Sequence, residues 1–258
     1  MDEPRDLVIA ADAFLDDVDY CDDQIWEAVI GQGDPQAMAI QSSLGMRAVF
    51  MRYFPIFTVN GIQIIDPLGF HQSPVLLQFF PNYLKFEIKP VEGINVVMEY
   101  WIPESHAIAG KVTFENYAKE FRAMQFEWVG QLKPIGSGEI FFPEVMGFNT
   151  VLGGKTAELF PVCFISGGPR LSQSVYPGLT LDLKLYPGKI QSLNWAAAAL
   201  KDKEYSLTVA RNLTFRNWDA EINRIERVNQ SRMIDISTGN QDWDGVLAFS
   251  QSAALKLI

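Results

Sequence analysis

Carboxylates beside aromatic side chains are the features of this sequence that could act on a sugar. Hydrolysis of a glycosidic bond uses two carboxyl groups that flank the bond, and aromatic rings offer an apolar surface with a polar edge. Adjacent side chains of a strand point to opposite faces, so we expect Glu outside and Trp in the core at such places. With 31 acidic residues, the sequence singles out no catalytic residue, and Trp101 and Trp128 are the candidates for contact with carbohydrate. The three places are Trp26-Glu27, Glu99-Tyr100-Trp101 and Glu127-Trp128.

The two histidines, His71 and His106, could transfer protons, because the pKa of an imidazole lies near neutral pH. They are 106 − 71 = 35 residues apart, and both fall in turn-like segments. We therefore expect them to be exposed or structural rather than catalytic.

We expect neither a metal site nor a cofactor. Cys21 and Cys163 have no Cys or His at metal-ligand spacing, and both stand in apolar, strand-like surroundings. This pattern predicts two buried, reduced thiols. The glycine-rich segments at 136–138 and 166–170 lack the lysine of a phosphate-binding loop, so they predict turns.

The charge of the chain limits its partners. Its net charge of -10 argues against nucleic acid, because a phosphate backbone requires a basic surface. No apolar run approaches the length of a membrane-spanning helix, so no membrane partner is expected. Residues 1–6 are acidic where a secretory signal is basic, which predicts a cytoplasmic protein.

The chain up to Leu200 has the pattern of a mainly β, antiparallel sandwich. Segments rich in β-branched and aromatic residues alternate with Gly or Pro turns, and no alternation of strands and helices suggests a parallel sheet. Asn60-Gly61 is a strong signal for a two-residue hairpin. We predict strands at residues 24–30, 37–43, 47–58, 62–65, 75–80, 83–89, 94–101, 107–116, 121–133, 139–142, 148–152, 157–165, 179–185 and 194–200.

After Leu200 the pattern becomes helical. Residues 202–211 can form a short helix with Asp202 as its N-cap. Residues 217–228 form a stronger amphipathic helix, with Trp218 on its apolar face.

A last helix is predicted over residues 242–258. It is apolar on most faces, so it should be buried among other helices, and it ends without a stop signal. We predict that Trp243, Leu247 and Phe249, together with Trp218, form an interdomain surface. A helix that docks on the sandwich, or that pairs with another copy to give a homodimer, is the alternative.

Together these features resemble bacterial six-hairpin glycosidases, in which a β-supersandwich precedes an (α/α)6 barrel. The segments NWDAEI at 217–222 and ISTGNQDWD at 236–244 are similar to the passage from the linker helix to the first barrel helix. The segments DQIWE at 23–27, SSLGMRA at 42–48 and FPNYL at 80–84 are similar to the sandwich of glucoamylase-like and glycogen-debranching (amylo-alpha-1,6-glucosidase) proteins. The resemblance covers most of the chain.

The resemblance implies two parts. Residues 1–200 would be a large antiparallel supersandwich of the galactose mutarotase type, and residues 201–258 a helical linker with the first helix of a missing (α/α)6 catalytic domain. Because the catalytic carboxylates of that family lie on the barrel, the chain alone would be inactive. Its role would be to support and shape the active site of a glycoside hydrolase acting on α-glucan, with the barrel and carbohydrate as partners.

Two other functions remain open at this stage. An independent carbohydrate-binding module would grip glucan through exposed aromatic residues. A mutarotase-like sugar epimerase would bring His71, His106 and a Glu together in one cleft. The exposure of the tryptophans and the placement of the histidines distinguish these alternatives.

Overall fold

A computed structural model describes residues 7–16, 18–172, 174–234 and 236–255, and within them the chain forms two antiparallel β-sheets and three α-helices. The strands are β1 (Leu7–Ile9), β2 (Trp26–Gln32), β3 (Ala37–Ser42), β4 (Ala48–Val59), β5 (Ile62–Ile64), β6 (Gln72–Phe80), β7 (Tyr83–Lys89), β8 (Ile94–Glu104), β9 (Ala107–Asn116), β10 (Arg122–Pro134), β11 (Glu139–Met146), β12 (Asn149–Lys155), β13 (Phe160–Ile165), β14 (Arg170–Leu171), β15 (Gly178–Leu185) and β16 (Ile190–Leu200). A short 3-10 helix spans Pro67–Gly69, and the α-helices are α1 (Lys203–Thr214), α2 (Trp218–Arg232) and α3 (Gln241–Leu255).

The strands are divided between two packed sheets. The first sheet has the order β1-β2-β3-β4-β10-β15-β14, with β5 paired to β4. The second sheet has the order β11-β12-β13-β16-β9-β8-β7-β6. This arrangement confirms the predicted antiparallel supersandwich.

Most strand positions follow the turn residues of the sequence. Asn60 and Gly61 have φ values of 53° and 79° and connect β4 to β5 in the predicted tight hairpin. The strands β1 and β14, which are only three and two residues long, were not predicted. Their placement depends on pairing with β2 and β15 rather than on a local pattern.

Aromatic side chains fill the space between the sheets. The ring centroid of Trp128 is 6.3 Å from that of Tyr53 and 4.5 Å from that of Trp195, and all three side chains are fully buried. They belong to β10, β4 and β16, so this cluster joins the two sheets. Gly110 leaves room for the indole, since a Cβ at that position would lie 2.2 Å from Nε1 of Trp195.

Helices α1 and α2 cover the outer face of the second sheet. Both begin where predicted: the side chain of Asp202 accepts a hydrogen bond from the N–H of Tyr205, and Asn217 caps α2 in the same way. The sheet surface beneath α1 carries small side chains, which let the helix approach closely. These are Ala107, Ala109, Ala196 and Ala198, and all of them are buried.

Helices α1 and α2, which lie in the part predicted as a helical linker, therefore share a hydrophobic core with the second sheet. Helix α3 follows α2 and is more exposed than α1 and α2. Residues 1–6 and 256–258, which include the predicted end of the last helix, lie outside the described residues.

The two thiols differ, which corrects the prediction that both are buried. Cys163 is fully buried in β13, whereas Cys21 is exposed in a turn. The apolar neighbours of Cys21 in the sequence do not form a strand, because residues 18–24 form a loop before β2.

Candidate functional site

The structure buries both candidate carbohydrate-binding tryptophans, which corrects that expectation. Trp128 lies in the core between the sheets, and Trp101 lies on the outer face of the second sheet beneath α2. Each has a relative exposure of 0%, so neither presents a ring face to a ligand from solvent. Trp101 packs edge-on against Trp218, with ring centroids 6.0 Å apart.

A buried carboxylate, Glu99, accounts for the position of Trp218. The Oε1 atom of Glu99 accepts hydrogen bonds from the Tyr83 hydroxyl at 2.6 Å and from Nε1 of Trp218 at 3.2 Å. Burial raises the pKa of Tyr83, and the neighbouring Glu99 raises it further, so this hydroxyl stays a neutral donor. Trp218 is 6% exposed and belongs to the core of this chain, which corrects its assignment to an interdomain surface.

A second buried carboxylate, Glu127, lies on the outer face of the first sheet. Its Oε1 accepts hydrogen bonds from the hydroxyl groups of Ser172 and Ser174, the latter at 2.5 Å. These serines belong to the loop between β14 and β15, so Glu127 holds that loop on the sheet. The neighbouring Trp128 points into the core, as the alternation of a strand predicts.

The carboxylates singled out from the sequence do not form a catalytic pair. Glu99 lies on the outer face of one sheet, while Glu27 and Glu127 lie on the outer face of the other, and packed sheets are about 10 Å apart. The register aligns Glu27 with Gln131, three strands away, and Glu127 is four residues further along β10. Glu27 and Glu127 are therefore about 20 Å apart. Glycosidases hold their two carboxyl groups within about 10 Å.

The two histidines lie at opposite ends of the second sheet. The backbone of His71 is bonded to Pro90, beside the turn from β7 to β8, whereas His106 lies in the turn from β8 to β9. Strand β8 separates these turns by about 30 Å. The described structure therefore does not bring together the pair that an epimerase mechanism would require.

His106 belongs instead to a cluster of polar side chains in the loops beside the second sheet. Its Nε2 is 3.6 Å from Oδ2 of Asp19, and its Nδ1 is 3.9 Å from Oδ2 of Asp22. One ligand atom of each of these residues lies within 4.8 Å of the other two, which is compact enough for a metal ion. Arg47, however, already pairs with both carboxylate oxygens of Asp22. The carboxylate of Asp22 is therefore already paired with a cation, and this pair attaches the loop before β2 to the turn before β4.

Within the described residues, Phe249 joins helix α3 to the sandwich. Its ring stacks on Phe79 of β6, with centroids 5.5 Å apart, and Leu247 is half-buried. Trp243 and Val246 remain 64% and 49% exposed. On β6, which forms an edge of the second sheet, the side chains of Val75, Leu76 and Leu77 are also 41–50% exposed. We call these residues of α3 and β6 the apolar edge.

A polar row that was not predicted from the sequence crosses the outer face of the first sheet. Register places Glu27, Gln41, Arg52 and Gln131 side by side on β2, β3, β4 and β10. Gln41 donates to Glu27 at 3.1 Å, and Nε of Arg52 donates to Gln131 at 2.6 Å. Polar residues at outward positions of otherwise apolar strands were the available signal.

One end of this row opens into a cleft of about 470 Å³. Glu27 and Gln41 supply a carboxylate and an amide, and Ser43 contributes a hydroxyl at an exposed position. Ile25 and Val49 add exposed aliphatic surface. Farther along the row, Arg52 is buried and also donates to the backbone carbonyl of Asp34.

Comparison with known proteins supports the fold. No family model and no curated protein matches this chain. A bacterial glucoamylase, solved in complex with acarbose, is similar with a TM-score of 0.58 and 8% identity over 84% of this chain and 35% of its own. This chain therefore spans about a third of the length of that glucoamylase. At this identity the similarity establishes a shared fold.

Two further solved structures match with lower scores. A putative kojibiose phosphorylase from the human microbiome has a TM-score of 0.40 and 11% identity, over 81% of this chain and 29% of that protein. A galactose mutarotase related enzyme from Lactobacillus acidophilus has a TM-score of 0.46 and 8% identity, over 76% of this chain and 97% of that protein. Among the described residues of the present chain, no helix has the length and apolarity of a membrane span.

Proposed function

We propose that this chain is a non-catalytic β-sandwich domain of a glycoside hydrolase acting on α-glucan. It packs against an (α/α)6 catalytic domain and supports the sugar site of that domain. The fold shared with a bacterial glucoamylase is consistent with this role. Glycogen as the substrate and a cytoplasmic location belong to the same proposal.

The observation that carries the proposal is the apolar edge. In helix α3, Phe249 packs on the sandwich, whereas Trp243 and Val246 are exposed. The linker that precedes this helix also has exposed Ile234 and Ile236. Full burial of a large apolar side chain contributes about 1.5–3 kcal/mol, so a cluster of them favours association. A helix with such exposed apolar side chains is suited to pack against other helices.

The distances between the carboxylates favour a structural role for this chain rather than catalysis. Glu27, Glu99 and Glu127 are too far apart for glycosidic hydrolysis, and Glu99 and Glu127 are buried under a helix and a loop. The catalytic pair would belong to the helical domain. A second copy of this chain is the alternative partner of the apolar edge.

The test uses the complete product of the gene that encodes this chain. Replacing both Trp243 and Val246 with Ser should loosen the packing of the helical domain, which separates the thermal transitions of the two domains and lowers glucose release from maltose. The control is Val175→Ser, since Val175 is 94% exposed on a loop over the first sheet. Equal behaviour of the double variant and the control would exclude the apolar edge as the domain contact. If the isolated chain forms dimers through this edge, the homodimer would be favoured instead.

A second candidate function is independent binding of carbohydrate in the cleft beside Glu27 and Gln41. The cleft combines hydrogen-bonding groups with aliphatic surface, as sites for small polar ligands do. Titration of the chain with maltooligosaccharides, followed by NMR, should then shift signals of β2 and β3. Glu27→Ala should abolish these shifts, whereas Glu204→Ala, at an exposed position of α1, should not. Shifts that are absent, or that persist in Glu27→Ala, would reject this site.

A further inference from the structure

The N-terminal segment from Ala10 to Asp16 lies across helix α2. Its backbone begins against the sandwich, where the N–H of Ala10 donates to the carbonyl of Pro81 at 3.0 Å. It is then held by two arginines of α2. Arg224 donates to the carbonyl of Leu15 at 2.8 Å and to Oδ1 of Asp16 at 2.9 Å. We call this segment the N-terminal clasp.

The second arginine holds the middle of the clasp. Arg232 donates to Oδ2 of Asp12 at 2.6 Å, and its guanidinium lies 4.2 Å from the ring centroid of Phe14. The other oxygen of Asp12 accepts from the backbone N–H of Phe14 at 3.0 Å. Both oxygens of this carboxylate are therefore bonded, and its side chain is only 5% exposed.

Asp16 is about as buried as Asp12, but in the described part of the chain only one of its two carboxylate oxygens has a hydrogen-bond partner. Its side chain is 6% exposed, and Oδ1 accepts from Arg224. Its Oδ2 is buried and has no hydrogen-bond partner among the described residues. An ionised carboxylate with a buried, unpaired oxygen is costly, and a proton on that oxygen removes most of the cost.

We propose that the N-terminal clasp is a proton-controlled latch, which holds α2 firmly when Asp16 is protonated and loosens when Asp16 ionises. The unpaired Oδ2 is the atom that takes the proton. Opening of the clasp returns Asp16 to water, where its ionised form is fully solvated, and it exposes the side of α2 that carries Arg224 and Arg232.

The charged groups around Asp16 explain why its ion pair does not cancel the cost of burial. Arg224 is the nearest cation, but its Nε is also 3.5 Å from Glu221, which in turn lies 3.8 Å from Arg216. Glu104 and Arg216 line the same surface cleft as Asp16. Asp12, with its partner Arg232, adds a further negative charge on the clasp itself. The positive charge of Arg224 is thus shared between two carboxylates.

The balance of these effects sets the direction of the pH dependence. Burial, with smaller contributions from Asp12 and Glu221, raises the pKa of Asp16 to about 6 against the lowering by Arg224. In the open clasp its pKa would return to the ordinary value of 3.8. Below both values the two states are protonated alike. As the pH rises from about 4 to about 6 the open state becomes increasingly favoured, and above that range the effect is complete. A difference of about two pKa units corresponds to about a hundredfold change in the opening equilibrium.

Hydrogen exchange of the backbone amides of the clasp, corrected for the intrinsic effect of pH, tests this proposal. Asp16→Asn removes the ionisation. At pH 7.5 the clasp amides of this variant should therefore be protected from exchange at least tenfold more than those of the parent protein. At pH 4, close to the ordinary pKa of 3.8, the two proteins should agree within about threefold. The matched control is Asp12→Asn, which weakens a fully bonded carboxylate and should lower protection at both pH values.

The proposal is overturned if Asp16→Asn lowers protection at pH 7.5 as Asp12→Asn does, because the pair with Arg224 would then hold the clasp closed in its ionised form. It is also overturned if protection in the parent protein does not change between pH 4 and 7.5. An NMR titration of the Asp16 carboxyl carbon in the unaltered chain needs no variant. A midpoint near 6 supports the latch, and a midpoint near or below 4 rejects it.

Discussion

Replacement of Trp218 tests whether α2 belongs to the fold of this chain. Trp218 is 6% exposed, packs on Trp101 and donates a hydrogen bond to the buried carboxylate of Glu99. Trp218→Ala removes a large buried ring and one of the two donors to Glu99. By contrast, Trp243 in α3 is 64% exposed, so Trp243→Ala is a control with the same change of residue type.

The expected magnitudes follow from these contacts. Truncation of a buried tryptophan costs about 3–5 kcal/mol of the free energy of unfolding. Trp218→Phe keeps much of the ring but loses the N–H, and a hydrogen bond to a charged group contributes about 1.5–3 kcal/mol. Trp243→Ala should change the free energy of unfolding by less than about 0.5 kcal/mol, as expected for an exposed position.

Equilibrium unfolding in urea, monitored by circular dichroism, measures these differences. The order of stability should be parent protein, then Trp218→Phe, then Trp218→Ala, with Trp243→Ala close to the parent protein. If Trp218→Ala were no more destabilising than Trp243→Ala, α2 would not share a core with the second sheet, and the sandwich and its helices would be separate units.

Three further predictions concern the core, the thiols and the last helix. Gly110→Ala should destabilise the chain by about 1–3 kcal/mol or more, measured in the same urea experiment, because its Cβ would collide with the buried indole of Trp195; an unchanged midpoint would contradict the packing described. In the native chain, a thiol reagent at pH 8 should modify Cys21 but not Cys163, because burial raises the pKa of the Cys163 thiol and shields it, and reaction of both before unfolding would show that β13 is accessible. Deletion of α3 should lower the melting temperature by only a few degrees, because Trp243 and Val246 are exposed while Phe249 packs on the sandwich, and it should reduce any dimerisation measured by light scattering; unfolding of the whole domain would show that α3 is part of its core.

The strands could be predicted from the sequence because their signals are local. Alternating apolar residues and turn residues such as Asn60-Gly61 fix where a strand begins and ends. The pairing order could not be predicted, since β10 lies between β4 and β15, and these contacts join distant parts of the chain. Helices α1 and α2 were predicted from their caps and periodicity, whereas the surface against which they pack was not.

The candidate sites were less predictable, because exposure depends on which sheet face is covered. Glu99 and Trp101 are two residues apart, so both side chains lie on one face of β8, and α2 happens to cover that face. The same alternation correctly placed Trp26 and Trp128 in the core. The polar row on the first sheet becomes visible only when register aligns residues from four strands.

Glucose release from maltose, glycogen and pullulan by the purified chain tests the central proposal most directly. We expect no release above the buffer blank from the isolated chain with its native circular dichroism spectrum, and measurable release from the complete gene product under the same conditions. Turnover by the isolated chain that survives purification, and that disappears when one of its own Asp or Glu residues is replaced, would contradict a non-catalytic role.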